Sequence, residues 1–257
     1  MTPKALSREN QVLHGDCLEL MKDIPDKSID MILCDLPYGT TACKWDTIIP
    51  FEPLWEQYKR VIKDNGAIVL TASQPFTSAL VMSNPKMFKY EWIWEKTTST
   101  GFANAKKQPM RIYENISIFY KKQPTYNPQM KEGKPYTIKE GERFGSGILN
   151  GDKIRNPENR TNIASFFRAS MDNKGTRYPT NIIKFKKDGR SHPTQKPVAL
   201  FEYLIKTYTN EGDLVLDNCA GSGTTGVACK NTGRNYILIE KEQEYIEIIK
   251  KRLTLSQ

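Results

Sequence analysis

Five short apolar runs, each ending in polar residues, constrain this chain more than any other feature. They are "QVLHGD" (11–16), "IDMILCD" (29–35), "GAIVLTAS" (66–73), "DLVLD" (213–217) and "NYILIE" (235–240). Their apolar residues are continuous rather than alternating, the pattern of parallel strands covered on both faces. Helical patterns at 50–63, 75–83, 197–209, 223–231 and 241–252 fall between or after them. This rhythm predicts an α/β fold with a doubly wound, mostly parallel sheet. "YEWIWEK" (90–96) and "NISIFYK" (115–121) alternate instead and predict an antiparallel hairpin at the sheet edge.

Residues 122–191 break the rhythm. Gly, Pro, Asn and basic residues dominate there, so the segment reads as an irregular insert between 1–121 and 192–257. Residues 121–190 hold 16 Lys and Arg against 7 Asp and Glu, which accounts for the whole net charge of +9. A basic stretch of this kind predicts a polyanion-facing surface, although a solvated lysine-rich loop has the same composition. The chain has no apolar run of membrane-spanning length, and its polar start lacks a signal-peptide core. Five scattered cysteines without a CxxC, and only two histidines, predict a reducing cytoplasm and no metal site.

Ligands of open parallel sheets bind outside the carboxyl ends of the strands. Asp16, Asp35, Asp217 and Glu240 are all expected there. One such carboxylate is ordinarily a helix cap; four on one sheet edge are harder to explain that way. "DNCAGSGTT" (217–225) follows a strand and opens a helix. It lacks the Gly-Lys-Ser/Thr of a phosphate loop, and Asp217 would repel a pyrophosphate. Glu240 ends the next strand and suits a ribose diol. A cationic nucleoside without phosphates, such as S-adenosylmethionine, satisfies both acids.

Asp35-Leu36-Pro37-Tyr38 resembles the catalytic Asp-Pro-Pro-Tyr motif of the S-adenosylmethionine-dependent DNA amino-methyltransferases. Asp217–Thr225 resembles that family's donor motif, Asp-Pro-Phe-x-Gly-Ser-Gly-Thr-Thr. The catalytic motif precedes the donor motif, an order similar to the β group, as are "HGDCLELM" (14–21) and "HPTQKP" (192–197). The resemblance implies a seven-stranded Rossmann-like methyltransferase sheet with an antiparallel edge strand. Residues 1–121 become its catalytic half, 122–191 its target-recognition insert and 192–257 its donor half. Leu36 replaces a proline, and Asn218-Cys219 replace Pro-Phe.

Carried over by position, Asp35 and the Leu36 carbonyl hold the target amino group, Pro37 stiffens the turn, and Tyr38 stacks on a flipped base. Phe76 is placed either in the base pocket or in the core. The donor site implied is Asp16, Cys17, Asp35, Thr194, Lys196, Asp217, Ala220, Gly221, Ser222, Gly223, Thr224 and Glu240, with no metal. Lys44, Trp45, Arg143, Arg155, Arg160, Arg168, Arg177 and Lys184 are the residues expected to meet double-stranded DNA. The activity implied is N6-adenine methylation, with N4-cytosine as the alternative. Cytosine carbon-5 chemistry needs a Pro-Cys nucleophile that is absent here. An RNA or protein amide methyltransferase, a silent DNA-binding protein on the same fold, and a nicotinamide enzyme read from "GSGTTG" are the remaining alternatives. A homodimer, a cognate restriction endonuclease and a prokaryotic or phage cytoplasm follow from the resemblance alone.

Overall fold

The computed structural model describes residues 10–40, 46–138, 171–186, 188 and 195–255. In chain order the first strands are β1 (Gln11–His14), β2 (Ile29–Asp35), β3 (Ile62–Ala72), β4 (Phe88–Thr100) and β5 (Arg111–Phe119). The short strands β6 (Lys131–Glu132), β7 (Tyr136–Ile138), β8 (Met171–Asn173) and β9 (Thr176–Arg177) follow. Last come β10 (Ile182–Phe185), β11 (Leu214–Asp217) and β12 (Asn235–Glu240). The helices are α1 (Cys17–Leu20), α2 (Phe51–Val61), α3 (Phe76–Ser83), α4 (Val198–Tyr208), α5 (Thr224–Thr232) and α6 (Gln243–Leu255). None of the described helices is long and apolar enough to cross a membrane.

Two compact units form, Met1–Asn127 with Thr180–Gln257, and Pro128–Pro179. The larger contains an eight-stranded sheet in the order β1-β12-β11-β2-β3-β5-β4-β10. Every neighbouring pair is parallel except the two made by β5. The α/β expectation holds, with two differences of detail. There are eight strands rather than seven, and the antiparallel strand is internal rather than at the edge. The β4–β5 hairpin forms as its alternation predicts, but β10 adds outside it. "IIKF" (182–185) is too short to stand out from its basic surroundings. It is held by pairing to β4, by burial of Ile183, and by the Trp94 indole donating to the Phe185 carbonyl at 3.0 Å. Of the expected 122–191 insert, the described residues 128–138 and 171–179 fall in the smaller unit and 180–186 in the unit that holds the sheet.

The continuous apolar runs are explained by two cores, one on each face. Along β2, Met31 and Leu33 enter one core while Ile32 and Cys34 enter the other. Along β3, Ala67 and Val69 alternate with Ile68 and Leu70 in the same way. Helix α2 closes the second core with Leu54, Trp55, Tyr58 and Val61 at helical spacing. Helix α4 closes the first with Leu200, Phe201, Leu204 and Ile205. A strand buried on both faces has no polar side until it leaves the sheet, so its first functional side chain appears at its end.

The smaller unit contains two two-stranded antiparallel ladders, β6–β9 and β7–β8. Arg177 ties them together. Its guanidinium donates to Asn173 Oδ1 at 2.7 Å and to the Lys134 carbonyl, and it lies 4.5 Å from the Tyr136 ring centroid.

Candidate active site

Strand order locates the site. From β2 the chain moves to β3 on one side; from β11 it moves to β12 on the other. The direction of winding reverses between β2 and β11, which is where an open α/β sheet leaves a crevice at its carboxyl edge. Asp35 is the last residue of β2, and Asp217 the last residue of β11. Two motifs 182 positions apart are therefore brought onto neighbouring strand ends.

Asp35 is the hub of a polar cluster. Lys196 Nζ donates to both its oxygens at 2.7 Å. The Tyr38 hydroxyl donates to Oδ1 at 2.7 Å, and the Thr71 hydroxyl, from β3, donates to the same oxygen. Lys196 also lies 3.2 Å from Glu114 Oε2 on β5, and Lys96 on β4 lies 3.2 Å from Glu114 Oε1. Burial alone would lower the Lys196 pKa, but Asp35, Tyr38 and Glu114 outweigh it and hold the ammonium charged. Burial likewise opposes ionisation of Glu114, and its two lysine partners outweigh that and keep it below the usual carboxylate range. Burial pushes the Tyr38 phenol well up, with the Asp35 charge adding to it, so the ring is neutral.

The opening motif is held from behind. Leu36, 4 % exposed, sits in the core beneath the sheet, which accounts for an apolar side chain at that position. Phe76 is buried and stacks on Tyr38 at 5.2 Å, so it is a core brace for the ring rather than an open pocket wall. Beyond the motif, Asp46 accepts the Gly39 and Thr40 amides at 2.8 and 2.9 Å and pins the turn.

The second motif is a turn closed by carboxylates. Asp217 is buried and accepts from the Thr225 hydroxyl and from the Cys219 amide, the latter at 3.1 Å. Burial pushes its carboxyl up to about 7. Glu240 accepts the Gly221 amide at 2.7 Å and the Glu242 amide at 2.8 Å; burial also raises its pKa. Gly221 and Gly223 both have positive φ, +51° and +80°. A Cβ on Gly223 would meet Ile249 at 2.9 Å, whereas one on Gly221 would project into open space. Only Gly221 therefore borders room for a ligand. Ala220 donates its amide to the Ile239 carbonyl at 2.9 Å, and the Ser222 carbonyl accepts from Arg252 at 2.6 Å. The Thr224 hydroxyl lies 3.5 Å from the Lys196 carbonyl, which ties the turn to the Asp35 cluster. Asn218, the departure from proline, accepts the Tyr58 hydroxyl at 2.6 Å inside the core. Cys219 Sγ accepts the Asn218 side-chain amide at 3.5 Å.

Several expected residues carry structural contacts that their sequence does not announce. Asp16 is exposed and caps α1, accepting the Leu18 amide at 2.9 Å. Lys196 turns its ammonium to Asp35 and Glu114, not to the glycine turn. Asp217 and Glu240 spend oxygens on backbone amides of the turn. Arg177 is spent inside the smaller unit, and Lys184 pairs with Glu95 at 2.7 Å. Lys44, Trp45, Arg143, Arg155, Arg160, Arg168 and Thr194 lie outside the described residues. Thr71, Lys96 and Glu114 were not anticipated. Thr71 lies in the "TAS" end of its strand, whereas Lys96 ends one alternating stretch and Glu114 immediately precedes the other.

A family model described as DNA methylase matches residues 29–251. The Type II methyltransferase M.HpaI of Haemophilus parainfluenzae is 29% identical, over 95% of this chain and 74% of its own length. The DNA adenine methyltransferase YhdJ of Escherichia coli (strain K12) is 30% identical, over 95% and 83%. Among solved structures, the M1.HpyAVI–SAM complex is 26% identical with a TM-score of 0.62, covering 95% of this chain and 99% of that one. The cytosine-N4-specific PvuII methyltransferase, 16% identical with a TM-score of 0.66 over 95% of this chain and 86% of its own, shares the fold.

Proposed function

Since this chain belongs to the DNA methylase family, we propose that it methylates N6 of adenine in double-stranded DNA, with S-adenosylmethionine as donor. The observation that carries this reading is the placement of Asp35 and the glycine turn on adjacent strand ends at the sheet's switch point. The residues fit the donor. Open space faces Gly221, acids lie at the strand ends, and Arg252, which reaches the turn, donates to the Ser222 carbonyl and hydroxyl. Asp16, Glu240 and the 220–224 turn would hold it. When bound, the donor supplies an electrophilic methyl group on a cationic sulfur.

The chain's own residues prepare the acceptor. The base leaves the duplex stack to reach a crevice at a sheet edge. Asp35 accepts one hydrogen of the amino group and the Leu36 carbonyl the other. Both bonds favour a localised nitrogen lone pair over conjugation into the ring. The Asp35 carboxylate stabilises the positive charge that develops on that nitrogen as it takes the methyl, and the charge is removed when the nitrogen releases one proton to water. Tyr38, braced by Phe76, offers a face on which the base stacks, a contact worth about 1–3 kcal/mol. Adenine is favoured by aspartate as the first motif residue and by the 30% identity to an adenine methyltransferase.

The test is incubation of unmethylated duplex DNA with purified protein and labelled donor, followed by base analysis and modification mapping. Labelled N6-methyladenine at one sequence context is expected. Label on cytosine N4 would replace the adenine reading, and no label on any DNA would remove it.

A further inference from the structure

The Asp35 carboxylate, where the proposed reaction needs a free acceptor site, is crowded. Lys196 occupies both oxygens, and Tyr38 and Thr71 crowd Oδ1 as well. A carboxylate offers about four lone-pair sites. Three of the four contacts fall on Oδ1 and Lys196 also holds Oδ2, so an incoming amino group competes with Lys196 at either oxygen. Lys196 has a second carboxylate to move to, whereas the Tyr38 hydroxyl, 3.1 Å from Thr71 Oγ1, has only a neutral alternative. Its ammonium is 3.2 Å from Glu114 Oε2, and that oxygen makes no hydrogen bond of good geometry. Lys196 is only 8 % exposed, so water is a poor substitute for a lost carboxylate. Glu114 is in turn fixed by Lys96, itself 4 % exposed, through the other oxygen. Two lysines and two carboxylates make a cluster with no formal net charge. The ammonium can shift from one acid toward the other without leaving a buried charge unpaired.

We infer that Glu114 is a positioning residue that takes over the Lys196 ammonium when the target amino group claims an oxygen of Asp35. Glu114 touches neither base nor donor; it acts through Lys196, and Lys96 keeps it aimed. Lys196 thus holds Asp35 in place before the base arrives and yields afterwards. The segment is anchored during this shift by the contact of the Lys196 carbonyl with Thr224. Without the Glu114 charge, Lys196 would stay on Asp35 and compete with the substrate.

This rests on the methyltransferase reading, and a double-mutant cycle tests it separately. Methyl transfer to DNA is measured at saturating donor in single turnover for wild type, Glu114→Gln, Lys196→Gln and the double variant, with donor affinity measured by calorimetry. Glu114→Gln is expected to slow transfer about tenfold while changing the donor Kd less than twofold. In the Lys196→Gln background the same change is expected to cost less than twofold, because the residue it acts through is gone. Glu114→Asp, which keeps the charge, is expected to recover part of the rate. Equal losses in both backgrounds, or a loss confined to donor affinity, would overturn the inference. If Glu114→Gln does not fold, Glu114→Asp run through the same cycle decides, with the same coupling expected at smaller amplitude. A wild-type chain inactive on all DNA would instead remove the underlying functional reading.

Discussion

At the scale of single residues, the carboxylate of Asp35 is both a structural partner and the proposed acceptor of the amino group, and two substitutions separate these roles. Asp35→Ala leaves Lys196 with Glu114 alone. Losing one partner of a buried pair costs about 3–5 kcal/mol, and the 28 % exposure of the Asp35 side chain reduces this to roughly 1–3 kcal/mol. Asp35→Asn keeps an acceptor oxygen and should unfold at a higher temperature than Asp35→Ala. Both should lose methyl transfer by at least about a hundredfold with donor affinity largely kept. Calorimetry and labelled transfer check the two halves; unchanged turnover in either variant contradicts the assigned role. Tyr38→Phe removes a hydroxyl from Asp35 and Thr71 but keeps the ring on Phe76. It should slow transfer less than Tyr38→Ala does, since stacking is the larger contribution.

The glycine turn is the element in which chemistry and folding can be told apart. Gly223→Ala places a Cβ against Ile249 in a left-handed conformation, so it should lower stability by about 1–3 kcal/mol. Gly221→Ala meets open space and should cost about 1 kcal/mol, yet weaken donor binding more than Gly223→Ala does. Thermal melts with and without donor distinguish them. The same turn makes stability depend on pH. Burial raises the Asp217 carboxyl from its ordinary 3.8 to about 7, so between those values the native state holds a proton that the unfolded chain has lost. Stability from this group is complete below about pH 4 and is lost as pH rises through 7. Asp217→Asn should remove that decline, read as a flatter melting temperature against pH from 4 to 8.

For the molecule as a whole, the charge excess of residues 121–190 predicts duplex binding that weakens steeply with salt, each phosphate contact contributing about 0.9 to the slope of log affinity against log salt. Arg177→Gln should leave that slope unchanged, because its guanidinium is spent on Asn173, Lys134 and Tyr136, and should instead loosen the smaller unit. Binding titrations at several salt concentrations and a melting curve check both. The sequence by itself determined seven strands of the eight-stranded sheet, most helices and both motifs, because a strand buried on two faces must be apolar throughout and its polar end then stands out. It also marked Gly221 and Gly223, since a turn of positive φ between strand and helix needs glycine there. Three matters were decided only by tertiary structure. Strand β10 exists through pairing to β4, not through any pattern of its own four residues. Asn218 is accommodated by Tyr58, 160 positions away, and Leu36 by a core assembled from helices α1, α2 and α3 and the sheet. The Lys96–Glu114–Lys196–Asp35 chain joins residues up to 161 positions apart, and no local pattern can announce charges that become buried only when the strands bearing them align.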